Sequence, residues 1–404
     1  MRKFFLAYLV ATVFIVSGCS DQAPKKVEEP AQGVSSSEIL IGSSAALSGH
    51  ASFLGTQYIH GSLAYLNEVN SQGGVHGRKI QLISYDDQYD PPKTVANTQK
   101  LINQDRVFAL FDYVGTPTSV KIIDMVHETK IPVLGFFTGA EQLRTPFRPY
   151  MFHVRDSYYA EAEGAVAYFA DKMGLKNIAV MYQDDAFGLA VLTGVQLALK
   201  RRGLEPVITA TFKRGSMDLE PALGIIRPSN AEAVIMVGTY SPLAKFIKIS
   251  NDAGFTPYFH TVSFVGSLAF GKEIVETQKV DPTQYDKIII TQVVPSPLSG
   301  ELPGIKEYLE KIKKYYPEDQ PNDVALEGFV NAKVLVQALQ NAGPQLTKQS
   351  FIDALESIKN FDVGIGKTVS YSTLDHQGLK GVYYAKVTSD GNFKQFDPLA
   401  PKEN

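Results

Sequence analysis

The sequence predicts an α/β protein made of two doubly wound, Rossmann-like lobes. From Glu38 onward, short apolar runs alternate with stretches of helical periodicity, and the connections between them are short. This alternation is typical of parallel strands joined by crossover helices. The chain has 404 residues, and the part after Glu38 is too long for a single sheet of this kind. We therefore expect two lobes with a cleft between them.

The predicted strands are continuous apolar runs, as expected for strands buried on both faces of a parallel sheet. Ligands of such sheets bind outside the carboxyl ends of the strands, so the residues that follow each strand are the candidate site residues. The predicted strands are Ile39–Ser44, Ile80–Tyr85, Phe108–Tyr113, Pro132–Phe137, Met151–Arg155, Ile178–Tyr182, Ala233–Gly238 and Ile288–Thr291.

The helices are predicted between these strands from their apolar periodicity. Ser241 is expected to cap the helix that begins at Pro242, and Gly254 is expected to end it. The predicted helices are Leu54–Asn70, Pro92–Asn103, Ser119–Glu128, Ala160–Met173, Leu189–Arg202, Leu219–Arg227, Pro242–Ala253, Pro303–Tyr316, Ala325–Asn341 and Lys348–Lys359.

The N-terminus has the pattern of an export signal. Two basic residues follow Met1, the apolar segment Phe4–Val16 is short for a bilayer span, and small residues precede Cys19. A cysteine at this position resembles a bacterial lipobox, which predicts a lipoprotein signal peptide over residues 1–18 and lipidation of Cys19. The alternative is a buried free thiol behind an ordinary signal peptide. Ser20, rather than Asp, favours the outer membrane if the cell is Gram-negative.

Residues 19–37 are polar, contain proline and lack apolar periodicity, which predicts a flexible tether. The signal peptide and the tether together predict a periplasmic or extracytoplasmic protein that is attached to a membrane by its lipid. The folded body is expected to begin near Glu38.

Composition and motifs argue against several functional classes. The net charge of −3 gives no reason to expect a nucleic-acid partner. The single cysteine rules out an intramolecular disulfide, and lipidation would remove it as a nucleophile. The sequence contains no Gly-rich phosphate loop, no nucleophile elbow and no histidine pair with zinc-site spacing. We therefore expect no catalytic residue, no cofactor and no metal.

Two acidic segments follow predicted strands. Asp86, Asp87 and Asp90 resemble a Ca²⁺ loop only in their number of closely spaced carboxylates. The central Gly and the later Glu of such a loop are missing. The simpler interpretation is a strand-to-helix turn in which Asp90 caps the next helix. Asp184 and Asp185 are interpreted as a turn that lines the cleft, since nothing in the sequence separates their pKa values for acid–base work.

Hydroxyl residues follow three predicted strands of the first lobe and indicate an anion site. They are Ser48 after the first strand, Thr116 and Thr118 after the third, and Thr138 after the fourth. Hydroxyls beside the N–H groups of a helix start suit a carboxylate. The same residues would also serve as ordinary helix caps, without any ligand.

The second half supplies aromatic residues that can close on an apolar ligand or simply fill a core. These candidates are Tyr158, Tyr159, Phe187, Tyr240 and the loop Ser263–Ser267.

Several motifs, in order and spacing, resemble the branched-chain amino-acid-binding (Leu/Ile/Val) type of periplasmic binding protein. These are two-lobed type I receptors of ABC transporters, and the resemblance runs from about Ile39 to the C-terminus. The motifs are Asn67–Ile80, Asp86-Asp87, Asp90-Pro91, Asp185-x-Phe-Gly188, Val237–Tyr240 and Leu326–Phe329.

The resemblance implies two lobes joined by a multi-crossover hinge, which closes around one ligand and presents the closed form to a permease. With such a hinge, we expect lobe I to contain residues 38–153 and 293–361. Lobe II is expected to contain residues 154–292 and 362–404.

The resemblance also implies a set of ligand-binding residues. The turn from Thr116 to Thr118, with Phe136 and Thr138, is expected to hold a carboxylate, while the remaining residues line the two sides of the cleft. Relatives usually have a small residue at the position of Phe136 and a Tyr at the position of Phe187. The expected set is Ser48, Phe53, Leu54, Thr116, Thr118, Phe136, Thr138, Asp185, Phe187, Tyr240 and Ser263.

Ser263 is the departure with the largest consequence. In amino-acid-binding relatives an acidic residue of this loop meets the ligand ammonium, and a buried ammonium without a counter-charge is costly. Either another acid such as Asp184 or Asp185 replaces it, or the ligand is an aliphatic or aromatic carboxylate without an α-amino group. The sequence leaves both possibilities open.

The function expected from these observations is the binding of an amino acid or related small carboxylate by a membrane-anchored lipoprotein that serves an ABC permease. The alternative is a ligand sensor that presents its closed form to a receptor kinase or regulator. A neighbouring gene for a permease or for a kinase would distinguish the two. An enzyme on the same architecture is the least favoured interpretation.

Overall fold

A computed structural model describes residues 31–398 of the chain, and Cys19 and the predicted signal peptide lie outside the described residues. The first lobe is built on a parallel sheet in the order β2-β1-β3-β4-β5. Its strands are β1 (Glu38–Ala45), β2 (Lys79–Asp86), β3 (Ala109–Val114), β4 (Val133–Phe137) and β5 (Met151–Phe152).

The second lobe is built on a larger sheet in the order β14-β13-β10-β9-β8-β6-β7. Strands β6 to β10 run parallel, while β13 and β14 add an antiparallel edge. The strands are β6 (Ile178–Gln183), β7 (Thr209–Phe212), β8 (Ala233–Val237), β9 (Tyr258–Thr261), β10 (Ile288–Gln292), β13 (Tyr383–Val387) and β14 (Phe393–Phe396). A separate hairpin joins β11 (Phe361–Asp362) to β12 (Thr368–Val369).

Helices cover the sheets, as expected for sheets whose strands are buried on both faces. They are α1 (Ser52–Ser71), α2 (Pro91–Asn103), α3 (Thr116–Ser119), α4 (Ile123–Thr129), α5 (Tyr158–Val166), α6 (Ala186–Lys200), α7 (Glu220–Ile226), α8 (Tyr240–Asp252), α9 (Ser267–Lys272), α10 (Pro303–Tyr315), α11 (Asp323–Ala342) and α12 (Lys348–Glu356). In the described part of the chain, no helix combines the length and apolar character needed to cross a membrane.

The chain passes between the two sheets three times, after β5, after β10 and after β12. The first and third crossovers lie side by side, because the His153 carbonyl accepts a hydrogen bond from the Gly378 N–H at 2.8 Å. The boundary expected between residues 361 and 362 falls inside β11. Val363 and Tyr371 are buried in the core of the first lobe, so the third crossover lies later in the chain than expected.

The end of the predicted tether packs against the first lobe. The Gln32 side-chain amide donates to the Ile102 carbonyl at 3.1 Å, and the Leu40 N–H donates to the Gly33 carbonyl at 2.7 Å. Ala31 and Val34 lie against the apolar core. Residues 31–37 therefore belong structurally to the body, which begins before Glu38.

Strands with alternating or polar patterns are the main elements that the sequence analysis did not predict. The strand β7 alternates exposed Thr with buried Ala and Phe, because it lies at the edge of its sheet. The antiparallel strands β13 and β14 are likewise partly exposed. A search for continuous apolar runs does not find strands of this kind.

Two helix predictions need correction. The helix expected over Ser119–Glu128 is broken into α3, a 3-10 turn over Val120–Ile122 and α4. Ser241 does not cap α8, because the helix begins at Tyr240, two residues before the expected Pro242, and the Ser241 hydroxyl donates to the Glu273 carboxylate at 2.7 Å.

The first lobe depends on a close contact between α1 and α11. A Cβ atom at Gly61 would lie 1.8 Å from the Ala325 carbonyl oxygen, and one at Gly328 would lie 2.1 Å from the Tyr58 carbonyl oxygen. Only glycine allows the two helix backbones to approach this closely at both points. The contact fixes α11, and the buried Glu327 that it carries, against α1.

We predict that Gly61→Ala lowers the free energy of unfolding by about 3 kcal/mol, because the methyl group forces the two helices apart. Gly224→Ala is the matched control. No atom lies within 4 Å of the Cβ position at Gly224 in α7, so this change should stabilise by at most about 1 kcal/mol. Denaturant titration measures both, and equal stabilities would contradict the packing argument.

Candidate ligand-binding site

The carboxyl ends of the first sheet face the strand exits of the second lobe, and the two lobes touch there. The ring of Phe264, from the second lobe, lies 5.3 Å from Phe137 and 5.8 Å from Tyr89 of the first lobe, measured between ring centroids. The same ring lies 4.7 Å from Phe187, and all four rings are buried. The structure therefore shows the lobes closed on each other through aromatic side chains.

Two of the predicted hydroxyl residues meet at the centre of the site. The hydroxyls of Thr116 and Thr138 lie 2.6 Å apart and belong to the exits of adjacent strands. Burial raises the pKa of the adjacent Tyr158 hydroxyl to about 12, against the opposing effects of Arg155, Thr138 and Thr116. This group of three buried hydroxyls is the polar centre of the site.

Ser48 and Thr118 have their hydroxyls engaged elsewhere. Thr118 donates to the Gly115 carbonyl at 2.9 Å and also bonds the Val114 carbonyl. The Ser48 hydroxyl and N–H both bond the carboxylate of Asp86. Ser48 therefore joins its turn to the end of β2, and Thr118 bonds back to carbonyls of its own turn, while neither side chain caps a helix.

The acidic turn after β2 is also structural. Burial would raise the Asp86 pKa, but donors that include Ser48 and the Gln88 N–H outweigh it and hold that pKa low. Asp87 accepts from Ser44 at 2.8 Å, and its pKa is raised because it is buried. Asp90 precedes α2 without a side-chain capping bond. Within residues 31–398, no cluster of three or more His, Cys, Asp or Glu could hold a metal.

Phe136 does not face the site. Its ring packs on the other side of the first sheet, stacked 5.1 Å from His153, while the next residue, Phe137, faces the second lobe. Successive side chains of a strand point to opposite faces, so a one-residue difference changes the side. Phe137 takes the position expected of Phe136.

Phe53 and Leu54 contact the second lobe at the rim of the site. The Phe53 ring lies 6.3 Å from Tyr240, edge to face. The Leu54 side chain reaches Gly266, where a Cβ atom would come within 2.6 Å of it. Gly266 also has φ +69°, a conformation that suits glycine.

Asp185 caps the helix that carries Phe187. Its carboxylate accepts from the Phe187 N–H at 2.9 Å and lies 3.6 Å from the Arg214 guanidinium. Burial raises the Asp185 pKa. Asp185 thus orients Phe187, whose ring lies 5.3 Å from Tyr158.

Ser263 is bound to two charged side chains that the sequence analysis missed. Its N–H and hydroxyl donate to the Glu161 carboxylate at 2.7 and 2.8 Å, and its hydroxyl accepts from the Arg155 guanidinium. Thr291 donates to the same carboxylate at 2.6 Å. The acid beside Ser263 is therefore Glu161, and not Asp184 or Asp185.

Arg155 lies at the first crossover, between the lobes, and is 1% exposed. Its Nε is 3.1 Å from the Glu327 carboxylate on α11. Burial lowers the Arg155 pKa, but Glu327 and other groups outweigh this and leave it raised. Burial raises the Glu327 pKa to about 7 despite the opposing effect of Arg155. These residues are distant in sequence, so no local pattern pairs them.

We predict that Glu327→Gln weakens the dependence of stability on pH. A carboxyl whose pKa is raised on folding favours the folded state below its ordinary pKa near 4.5, and this stabilisation is lost as pH rises through about 7. Between pH 5 and pH 8, the melting temperature of E327Q should therefore fall less than that of the wild type.

Glu163→Gln provides the control. Burial would raise the Glu163 pKa, but Arg202 and Arg201 outweigh burial and hold that pKa below 4.5. Glu163 therefore stays ionised throughout this range. E163Q should therefore follow the wild-type slope. Parallel curves for E327Q and the wild type would contradict the assignment.

Known proteins are similar to this chain in sequence and in fold. The Periplasmic binding protein family matches residues 38–392. The Leu/Ile/Val-binding protein homolog 7 of Brucella abortus (strain 2308) is 25% identical over 351 residues, which cover 82% of this chain and 84% of the relative.

Solved structures agree. A possible leucine/isoleucine/valine-binding protein from Rhodopirellula baltica SH 1 is 30% identical, with a TM-score of 0.83 over 92% of this chain and 98% of that chain. A fatty acid ABC transporter substrate-binding protein from Thermomonospora curvata also has a TM-score of 0.83, covering 92% of this chain and 94% of its own, but is 22% identical and shares the fold alone. This chain therefore belongs to the periplasmic binding protein family, with the type I fold of the Leu/Ile/Val-binding proteins, and is a ligand-binding protein and not an enzyme.

Proposed function

We propose that this protein is the extracytoplasmic solute-binding lipoprotein of an ABC transporter, and that it captures an amino acid or related small carboxylate between its lobes. The observation that carries the proposal is the pair of hydroxyls of Thr116 and Thr138, 2.6 Å apart at adjacent strand exits. One hydroxyl donates to the other, and the second hydroxyl proton can be donated to a carboxylate, while the buried aromatic rings around them suit an apolar remainder.

The relatives support a ligand of this class. The Brucella abortus protein is described as a Leu/Ile/Val-binding protein homolog and the Rhodopirellula baltica protein as a possible leucine/isoleucine/valine-binding protein, and both are aligned over most of this chain. The Thermomonospora curvata protein has the same fold with a fatty acid in its description, so the fold alone does not select the ligand. The ligand must be argued from the site residues.

Hinge closure is the proposed mechanism of capture. The contacts of Phe264 with Tyr89 and Phe137 exist only when the lobes are together, because these rings belong to different lobes. A ligand that touches both lobes adds free energy only to the closed form and therefore shifts the population toward it. The closed form is the state that a permease would recognise.

Membrane attachment is proposed through Cys19, which precedes the described residues. The chain enters the first lobe at Ala31–Val34, beside the end of α2. Cys19→Ala should move the protein from the membrane fraction to the soluble fraction, while Ser20→Ala, next to it, should leave it in the membrane. Membrane retention of C19A would reject the anchor.

We predict that the double variant Thr116→Ala/Thr138→Ala loses at least 10-fold in affinity for a carboxylate ligand, since each lost hydrogen bond to a charged group is worth about 1.5–3 kcal/mol. A thermal-shift panel of amino acids and small carboxylates identifies the ligand, because binding raises the melting temperature. Titration calorimetry then compares the variants.

Thr193→Ala is the matched control. Its exposed hydroxyl bonds only the Leu189 carbonyl of its own helix, so this change should leave the affinity intact. Unchanged affinity in the double variant would reject the carboxylate position. A panel in which no compound shifts the melting temperature would reject the ligand class.

A further inference from the structure

Two buried polar groups beside the threonine pair have no hydrogen-bond partner. The Tyr158 hydroxyl and the Arg155 Nη1 are both unpartnered, although the side chains are only 0% and 1% exposed. A buried polar group without a partner costs free energy, and a charged one costs more. Native proteins seldom leave such groups unpaired, and between the lobes a ligand can supply the missing partner.

Both groups belong to the site already described. Tyr158 lies beside Thr116 and Thr138, and its ring contacts Phe187. The Arg155 guanidinium lies 4.8 Å from the centre of the Phe137 ring and 5.9 Å from that of Tyr158. The aromatic faces hold the guanidinium within the same enclosed region.

The unpartnered groups offer donors to an anion. A guanidinium can only donate, and a phenol hydroxyl donates readily to a carboxylate. Tyr158 and Arg155 lie in the same enclosed region as the hydroxyls of Thr116 and Thr138. Four side chains with O–H or N–H groups therefore belong to this region. This arrangement is suited to the two oxygens of a carboxylate, which accept several hydrogen bonds.

The neighbouring carboxylates already have partners. Glu161 accepts three hydrogen bonds, two from Ser263 and one from Thr291. Glu327 forms an ion pair with Arg155, its Oε1 lying 3.1 Å from the Arg155 Nε, although this oxygen makes no hydrogen bond. An ammonium group placed beside Ser263 would lie next to the Arg155 guanidinium and would compete with it for these two carboxylates.

We propose that the ligand is a small carboxylate without an ammonium group, and that Tyr158 and Arg155 donate to its carboxylate together with Thr116 and Thr138. This inference rests on the proposed function, since it names the class of ligand for the same site. The rest of the ligand is apolar and lies against Phe187 and Phe264.

The direct test compares acids of the same carbon skeleton that carry an α-amino group, a keto group or neither. Titration calorimetry on the purified protein would use leucine with 4-methylpentanoate and 4-methyl-2-oxopentanoate, and phenylalanine with 3-phenylpropanoate. We expect an amine-free acid to bind at least 10-fold more tightly than its amino acid. An amino acid that binds equally or more tightly overturns this inference but leaves the proposed function intact. Binding of none of them, nor of any acid in the wider panel, overturns both.

The second test removes the unpartnered hydroxyl. Tyr158→Phe should lower the affinity for the preferred acid roughly 10- to 100-fold and should lower the melting temperature less than Tyr371→Phe does, because the Tyr158 hydroxyl makes no hydrogen bond of normal geometry within the protein. The control is Tyr371→Phe, since that hydroxyl is equally buried but donates to the His153 carbonyl at 3.1 Å.

Y371F should lower the melting temperature and keep the affinity. If Y158F binds the acid as tightly as the wild type, Tyr158 is not a ligand contact and the proposal fails. If Y158F loses stability as Y371F does, its hydroxyl is structural and the proposal fails as well.

Discussion

The structure depends on a single buried guanidinium at the hinge. Arg155 lies where the chain first leaves the lobe built on β1 to β5, and a buried charge there must be balanced. Glu327 of α11 provides the balance from the first lobe, while Ser263 and Glu161 provide it from the second. These contacts tie both lobes to the crossover segment, so the charge that costs most to bury also aligns the two halves of the site.

The packing of the first lobe brings Glu327 to that charge. The close backbone contact at Gly61 and Gly328 fixes α11 against α1, and Glu327 lies one residue before the second glycine. On the other side, Phe264 packs onto the aromatic rings of both lobes. The buried charges, the packed helices and the aromatic rings thus surround the hydroxyls of Thr116 and Thr138. The site is a consequence of how the lobes close and is not confined to one loop.

The sequence predicted the features that depend on local pattern. Buried parallel strands are continuous apolar runs, so the five strands of the first sheet and three of the seven strands of the second were predicted, and with them the strand exits that carry Thr116, Thr138 and Phe187. Edge strands such as β7 were missed because half of their residues face solvent. Hydroxyl and acidic residues were ambiguous, because capping and ligand binding use the same side chains. The structure separates them, since Thr118 bonds its own turn while Thr116 faces Thr138.

The charged residues could not be predicted in this way, because Arg155, Glu161 and Glu327 meet, around Ser263, only in the folded protein. The central claim is that their arrangement selects an acid without an amino group. Mass spectrometry of the small molecules released when the purified, natively expressed protein is denatured tests it most directly. We expect a stoichiometric small carboxylate that contains no amine. Recovery of a stoichiometric α-amino acid would contradict it.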